Sequence, residues 1–537
     1  MDRWSWGGYL SWGAPIWPPN PPRSRSDRAG GSIGLATTGP PKAPRLRSDR
    51  AWGSIALATI VLLASLVALD SPASAQQGDA AAGKVVYERK CAGCHGDRGD
   101  GKGPAAELLD PRPRDFTSGV YKIRSTLNRV PTDQDIFQVI TAGMPGTSMP
   151  GWAALAERER WNLVAYLKTF AGDKLKEPPK KAELPKDVAP SAASLARGKE
   201  MFEAIECHKC HGMEGRADGP SRAELKDDWG QPVKPANLSK RWTFRGGRGR
   251  TDVATRMAVG VLGTPMPAFL DAVEKPEDIW HVTNYVLSLG AEAPNYATLV
   301  TVAAVQDAIP DDPAAELWRQ IEGQAIPLMG QVIIDPRNFN PAIDMITVRA
   351  LYNDREIAFH LTWDDPTPSK PDGKQTFADA VSLQFPPVVD PGGERPYFLM
   401  GNASAAVYLL RWQSDGGVQE AAANGPAKIR PLAGSEAGGR AVFDNGQYRV
   451  VIKRALAVKD TERITFRPAV FTPIAFQAWD GGAGETGARM SLTSWYYLRL
   501  EEPRSNARFV VPPVVALLAL GGMLLIVWAA NRRGQIA

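Results

Sequence analysis

Cysteine and histidine are scarce in this 537-residue chain, with four of the first and five of the second. Every cysteine falls in one of two C-x-x-C-H strings, Cys91-Ala-Gly-Cys94-His95 and Cys207-His-Lys-Cys210-His211. No thiol is left for a structural disulfide or for iron-sulfur clusters. The histidines are His95, His208, His211, His281 and His360, so three remain once each string has claimed its last residue. Net charge of one sign is also missing where it matters. The formal charge is +5, and residues 1–50 alone hold eight Lys or Arg against three Asp. The rest is near neutral, which excludes nucleic acid as a partner, because that role needs a basic face to displace counterions from phosphates.

At ~150 residues per domain the length implies about three folded units. Ser54 to Leu69 is an apolar run of signal-peptide length, and Ala73-Ser74-Ala75 after it has the small-residue form of a cleavage site. Residues 1–75 therefore read as an N-terminal extension and signal peptide, with the mature chain exported and starting near Gln76. Within the extension, residues 25–37 nearly repeat at 47–59 without hydrophobic periodicity; the segment reads as disordered or as a misplaced start. Phe509 to Ala530 is apolar throughout and long enough to cross a bilayer, with Trp528 at an interface position and Asn531-Arg532-Arg533 as a cytoplasmic flank. A single C-terminal span, residues 509–530, with the bulk of the chain in the periplasm, is the expected topology.

Residues 76–175 and 193–292 repeat one order of features. Each has a helical stretch with Gly-Lys (Gly83-Lys84, Gly198-Lys199), then C-x-x-C-H, a Gly-rich Asp-Gly segment and a Pro-rich loop (Pro111 and Pro113; Pro232 and Pro235). An aromatic-x-x-Arg string follows (Tyr121 to Arg124; Trp242 to Arg245), then a short helix, a Met-Pro loop and a closing helix carrying Trp161 and Tyr166 or Trp280 and Tyr285. The His-to-Met separation, His95 to Met149 and His211 to Met266, is roughly 55 positions in both copies. Between them, residues 176–192 are rich in Pro and Lys and read as a stiff, solvated linker.

Two thiols two residues apart on a helix can add to both vinyl groups of one porphyrin, and a histidine directly after them reaches the iron from the same side. A zinc site would need two further ligands close by, and a redox dithiol a βαβ setting; neither is visible. The strings therefore predict two covalent c-type haems, on Cys91/Cys94/His95 and Cys207/Cys210/His211. Met149 and Met266, each beside a proline at matching places, are the expected sixth ligands, and a thioether raises the potential into the range of an electron carrier. Met144 is the rival in the first copy, but it has no counterpart in the second. A six-coordinate iron moves electrons without ligand chemistry.

These stretches resemble class I cytochrome c domains, over the whole of each copy. The resemblance implies two all-α domains around haem, a Pro-bearing loop that hydrogen-bonds the proximal histidine, and Arg124 and Arg245 as haem propionate partners.

From about 300 to 502 the pattern changes to alternation of period two, as in Ile357, Phe359, Leu361 and Trp363. Similar segments at Ala380 to Phe385, Ala405 to Trp412, Tyr448 to Lys453, Ile474 to Trp479 and Ser494 to Leu500 predict an antiparallel β-sandwich. Leu361-Thr-Trp-Asp-Asp-Pro-Thr367, Pro396-Tyr-Phe-Leu-Met-Gly401, Tyr448 to Leu456, Ala478-Trp-Asp-Gly481 and Ser494-Trp-Tyr496 together resemble the haem-b-binding domain in gamma subunits of ethylbenzene dehydrogenase and related molybdenum enzymes of the dimethyl sulfoxide reductase family. The resemblance implies one non-covalent b-type haem with Met400 as an axial ligand. Met490 stands where that family has lysine, so the second ligand is Met490 or Lys453, or the haem has been lost; His360 is by default a strand residue.

The expected function is a membrane-anchored periplasmic electron relay. Its implied partners are a molybdenum catalytic subunit and an iron-sulfur subunit, of nitrite oxidoreductase or nitrate reductase type, and a soluble or membrane redox carrier. Two rivals stay open: a peroxidase or oxidase subunit with an open iron, and a haem-free sandwich that serves as a binding module.

Overall fold

The computed structural model describes residues 78–390, 393–502 and 507–534. The expected signal peptide and extension lie outside the described residues.

The first helical region holds α1 (Ala80–Lys90), α2 (Ala92–His95), α3 (Asp133–Ala142) and α4 (Glu157–Ala171). Asp79 caps α1 by accepting from the N–H groups of Ala81 and Ala82, and Thr132 with Asp135 forms a capping box on α3. The second region repeats the plan with α5 (Ala192–Ala204), α6 (His208–His211), α7 (Arg250–Val259) and α8 (Asp278–Ser288). In each, the first helix crosses the last, α1 on α4 and α5 on α8. The crossing explains the repeated glycine. A Cβ on Gly83 would fall inside the van der Waals radius of the Asn162 carbonyl oxygen, and one on Gly198 inside that of His281. Aromatic pairs flank the crossings, Tyr87 with Tyr166 at 5.3 Å and Phe202 with Tyr285 at 5.4 Å.

The connecting segment is less free than its composition implies. Leu127 N–H donates to Lys180 O at 2.8 Å on the first region, whereas the Trp280 indole donates to Pro185 O at 2.9 Å on the second. Asp187 pairs with Arg250 at 2.7 Å.

Among the described residues fourteen strands follow: β1 (Leu299–Ala304), β2 (Gln324–Pro327), β3 (Met329–Gly330), β4 (Met345–Tyr352), β5 (Glu356–Asp364), β6 (Ala380–Phe385), β7 (Val407–Gln413), β8 (Gly417–Ala423), β9 (Ile429–Pro431), β10 (Gly438–Asp444), β11 (Gln447–Ala455), β12 (Phe471–Trp479), β13 (Ser491–Leu492) and β14 (Tyr496–Leu500). The four-residue helix α9 (Glu316–Arg319) interrupts them. The main path runs β10-β11-β5-β4-β1-β14-β12-β6-β7-β8-β9. Its two halves fold over a shared core: Phe359, Leu361, Trp363 and Val450 from one side meet Leu383, Phe385, Leu410 and Phe476 from the other. Pairing is antiparallel apart from β1, which lies parallel to β14 and then to β4. That strand links the halves, because its first residues pair with Tyr497 to Leu500 and its last with Leu351 and Tyr352.

The last element is α10 (Ala507–Gly534). Val511–Arg532 within it has mean hydropathy 2.3 and is unburied by the rest of the chain, long and apolar enough to cross a membrane.

Candidate haem sites

Both C-x-x-C-H strings are held alike. The Nδ1 of His95 lies 3.0 Å from the carbonyl of Arg114, and that of His211 lies 2.8 Å from the carbonyl of Ala236. A carbonyl only accepts, so Nδ1 carries the proton and Nε2 keeps its lone pair for a metal. The acceptors sit one residue beyond Pro113 and Pro235, in the Pro-bearing loops. Burial lowers the pKa of both rings and keeps them neutral. Phe116 stacks on His95 at 4.6 Å between ring centroids, a contact the motif did not reveal. Burial, with Cys94 adding, pushes the Cys91 thiol up to about 11, and Cys207 goes to about 12. A redox dithiol needs the opposite shift.

The methionine loops match atom for atom. Gly143 and Gly260 leave α3 and α7 in the left-handed region, at φ +70° and +71°. Met144 N–H then donates to Met149 O, and Val261 N–H to Met266 O, both at 3.1 Å. Thr147 and Thr264 hydroxyls close the turns on the carbonyls of Met144 and Val261 at 2.7 Å. Met149 and Met266 thus occupy equivalent places; Met144 is the equivalent of Val261.

Arg124 and Arg245 reach into the other copy. Arg124 Nη2 donates to Val259 O at 2.6 Å, while its buried Nε and Nη1 have no partner. Arg245 lies 3.4 Å from the carbonyls of Pro145 and Gly146. Arg114 stacks over Trp229 across the same seam, 4.5 Å from the ring. Lys122 joins them, its pKa lowered to about 8 by burial and by Arg114 and Arg245. Among the described residues none of these four cations forms an ion pair. One buried cation, Arg124, and three half-buried ones without ion pairs beside two haem strings fit the anionic propionate edges of porphyrins.

On the sandwich, Met400 and Met490 belong to one wholly buried cluster with Leu399, Leu409 and Trp479. Met400 has φ +57°, followed by Gly401 at +75°. A non-glycine residue held there is a strained placement of the kind found at ligand sites. On the sheet beneath, Gln477, Ser382 and Arg411 stand in register across β12, β6 and β7, and each has a buried polar atom without a partner, Oε1, Oγ and Nε. An apolar cluster over orphaned polar groups suits an amphipathic cofactor. Lys453 is elsewhere: its Nζ donates to Ile309 O at 3.1 Å and pairs with Glu356 at 3.5 Å on β5. His360, also distant from that cluster, stacks on Trp318 at 5.2 Å, with Nε2 3.1 Å from Pro313 O.

Residues 78–167 match the family described as cytochrome c oxidase, cbb3-type, subunit III, and residues 195–290 match cytochrome c. Cytochrome c-554(547) of Halothiobacillus neapolitanus is 35% identical over 96 residues, which is 17% of this chain and 98% of that protein. The chain belongs to the cytochrome c family. Behind the cytochrome c region it carries a domain of the ethylbenzene dehydrogenase family, matched over residues 315–439. A protein of Haloferax mediterranei named as a respiratory nitrate reductase haem subunit, ORF7, is 24% identical to this cytochrome over 228 residues, 42% of the chain and 82% of that protein. A chain from the reducing HAO-like protein complex of Kuenenia stuttgartiensis is 38% identical, with 40% of this chain and 98% of that chain covered at a TM-score of 0.38. Haem is thus the cofactor of this cytochrome, and electron transfer its work.

Proposed function

We propose that the chain is the membrane-anchored, exported haem subunit of a respiratory molybdenum enzyme of nitrate reductase or nitrite oxidoreductase type. It relays electrons between the molybdenum and iron-sulfur subunits and a soluble or membrane redox carrier. Two c-type haems belong on Cys91, Cys94, His95 and Met149, and on Cys207, Cys210, His211 and Met266, and a non-covalent b-type haem between Met400 and Met490. When bound, these groups supply reversible one-electron chemistry at iron. The chain's own residues fix the ring tautomers through Arg114 O and Ala236 O, present two sulfurs from equivalent loops, and gather Arg114, Lys122, Arg124 and Arg245 at the seam.

The observation that carries this reading is that cationic seam. Its cations would hold the propionates of both c haems at one seam, which supports exchange between two neighbouring haem sites. Likeness to the Haloferax haem subunit supports the parent enzyme, and α10 supports the anchor.

The test is a haem inventory of the detergent-solubilised holoprotein. Two haems resist acid-acetone extraction and one is removed per chain, all three are low-spin when oxidised, and carbon monoxide leaves the reduced spectrum unchanged. A high-spin spectrum with carbon monoxide binding would favour an oxidase or peroxidase subunit. No extractable haem would leave the sandwich as a haem-free module. Affinity purification from the native membrane then recovers a molybdenum subunit and an iron-sulfur subunit; their absence would refute the assigned complex.

A further inference from the structure

Three loops of the sandwich converge at one end of the sheet: the turn after β5, the approach to β6 and the turn after β12. They deliver Asp365, Asp379 and Asp480, all buried, with one carboxylate oxygen from each within 4.8 Å of the others. Register brings two of them together, since Ala380 pairs with Trp479 and the neighbouring positions are Asp379 and Asp480. The third is held by its own N–H, which donates to Gly446 O at 2.9 Å.

Three buried carboxylates strongly disfavour one another unless something positive sits among them. Burial raises the pKa of all three, and the neighbouring carboxylates raise Asp365 further. Among the described residues none of the three forms an ion pair; Arg222 and Lys234 help Asp480 only through space. Hydrogen bonds nevertheless prepare Asp379 as an anion. It accepts from Ser369 N–H at 2.5 Å, Tyr448 Oη at 2.9 Å and Gly481 N–H at 2.8 Å.

Asp365 supplies the independent sign of a ligand. Its Oδ1 accepts from Thr367 N–H at 3.0 Å and the Trp363 indole acts on the carboxylate as a further donor, but its Oδ2 has no hydrogen bond of normal geometry, on a residue 1% exposed. Neutral oxygens stand close. A Cβ on Gly482 would meet Ser369 Oγ at 2.7 Å, Thr367 Oγ1 at 2.9 Å and Asp480 Oδ1 at 3.2 Å. All donors are hard oxygens on protein side chains, and a buried set of three carboxylates suits calcium, because magnesium keeps several of its waters and binds through one or two carboxylates.

We propose that Asp365, Asp379 and Asp480 form a calcium site, with Thr367 and Ser369 hydroxyls in reach, and that the ion fastens the loops on which the second cytochrome domain docks. The docking contacts begin one residue away. Asp364 takes Asn237 Nδ2 at 2.8 Å, Lys240 at 3.6 Å and Arg216 at 3.7 Å, and Arg216 also donates to Asn445 O at 2.9 Å.

The test uses the full-length holoprotein. Elemental analysis after dialysis finds one calcium per chain. EGTA lowers the unfolding temperature of the sandwich, and calcium restores it where equal magnesium does not. Asp480→Asn weakens calcium binding at least tenfold by titration calorimetry. Asp365→Asn abolishes the calcium response yet, in EGTA, unfolds no earlier than the parent, because the amide takes one carboxyl out of a crowd of three. If either variant fails to fold, the wild-type measurements decide. No retained calcium, together with no thermal shift up to ~10 mM, beyond the ~1 mM weak limit of extracellular calcium modules, would overturn the proposal; so would equal stabilisation by magnesium.

Discussion

The guanidinium of Arg124 donates to the carbonyl of Val259 at 2.6 Å, so a side chain of one cytochrome copy satisfies the C-terminal end of α7 in the other. This single bond ties the copies at the place where helix carbonyls lack partners of their own. Arg124→Gln should destabilise the cytochrome region by about 1.5–3 kcal/mol, the range for a hydrogen bond to a charged group. Denaturant titration followed by haem absorbance reads it, and an unchanged midpoint would show the bond to be idle.

Met266→Ala, and separately Met149→Ala, should each turn one haem high-spin and open to carbon monoxide, with a lower midpoint potential. Met144→Ala should leave both c haems low-spin, since its loop position is that of Val261. Visible spectra and redox titration distinguish these outcomes.

Met400→Ala and Met490→Ala should each reduce extractable haem while the two covalent haems survive. Lys453→Ala should not, because its ammonium is engaged by Glu356 and Ile309. Extraction followed by pyridine haemochrome assay measures all three.

His360 gives a pH dependence. Burial chiefly, then Arg349 and Arg449, lowers its pKa from 6.5 to about 4. The Arg residues face it from β4 and β11, and Trp318 covers it from α9. The unfolded chain therefore binds a proton first, and stability fully present above pH 6.5 is lost as pH falls toward 4. His360→Gln should flatten that part of the stability profile; an unchanged slope would show that other groups set it.

Gly83→Val and Gly198→Val should each lower thermal stability, by at least the ~1–3 kcal/mol typical of overpacking, since the obstruction is backbone rather than a movable side chain. Differential scanning calorimetry would show both transitions moving down.

Much of this architecture was readable beforehand, for identifiable reasons. Covalent haem attachment needs two thiols and a histidine within five consecutive residues, so local sequence contains the whole motif. Period-two alternation located β5, β6, β7, β11, β12 and β14 because each buries one face on the shared core. Strand β10, glycine-led and largely exposed at an edge, carries little such signal, and the parallel setting of β1 depends on partners nearly 200 positions away. Arg124 and Arg245 were picked out by repetition, but their reach across the seam follows from packing that no single copy encodes. Asp365 and Asp480 lay in strings already singled out; only sheet register adds Asp379, 14 positions beyond Asp365 and 101 before Asp480.

Six residues, 501–506, separate the end of β14 from the start of α10. Fully stretched, they reach about 20 Å. If α10 spans a bilayer, the sandwich is held on a short leash beside the lipid headgroups. A redox partner must then come to it, from the fluid or along the surface, because the sandwich itself cannot move farther from the membrane than those six residues allow.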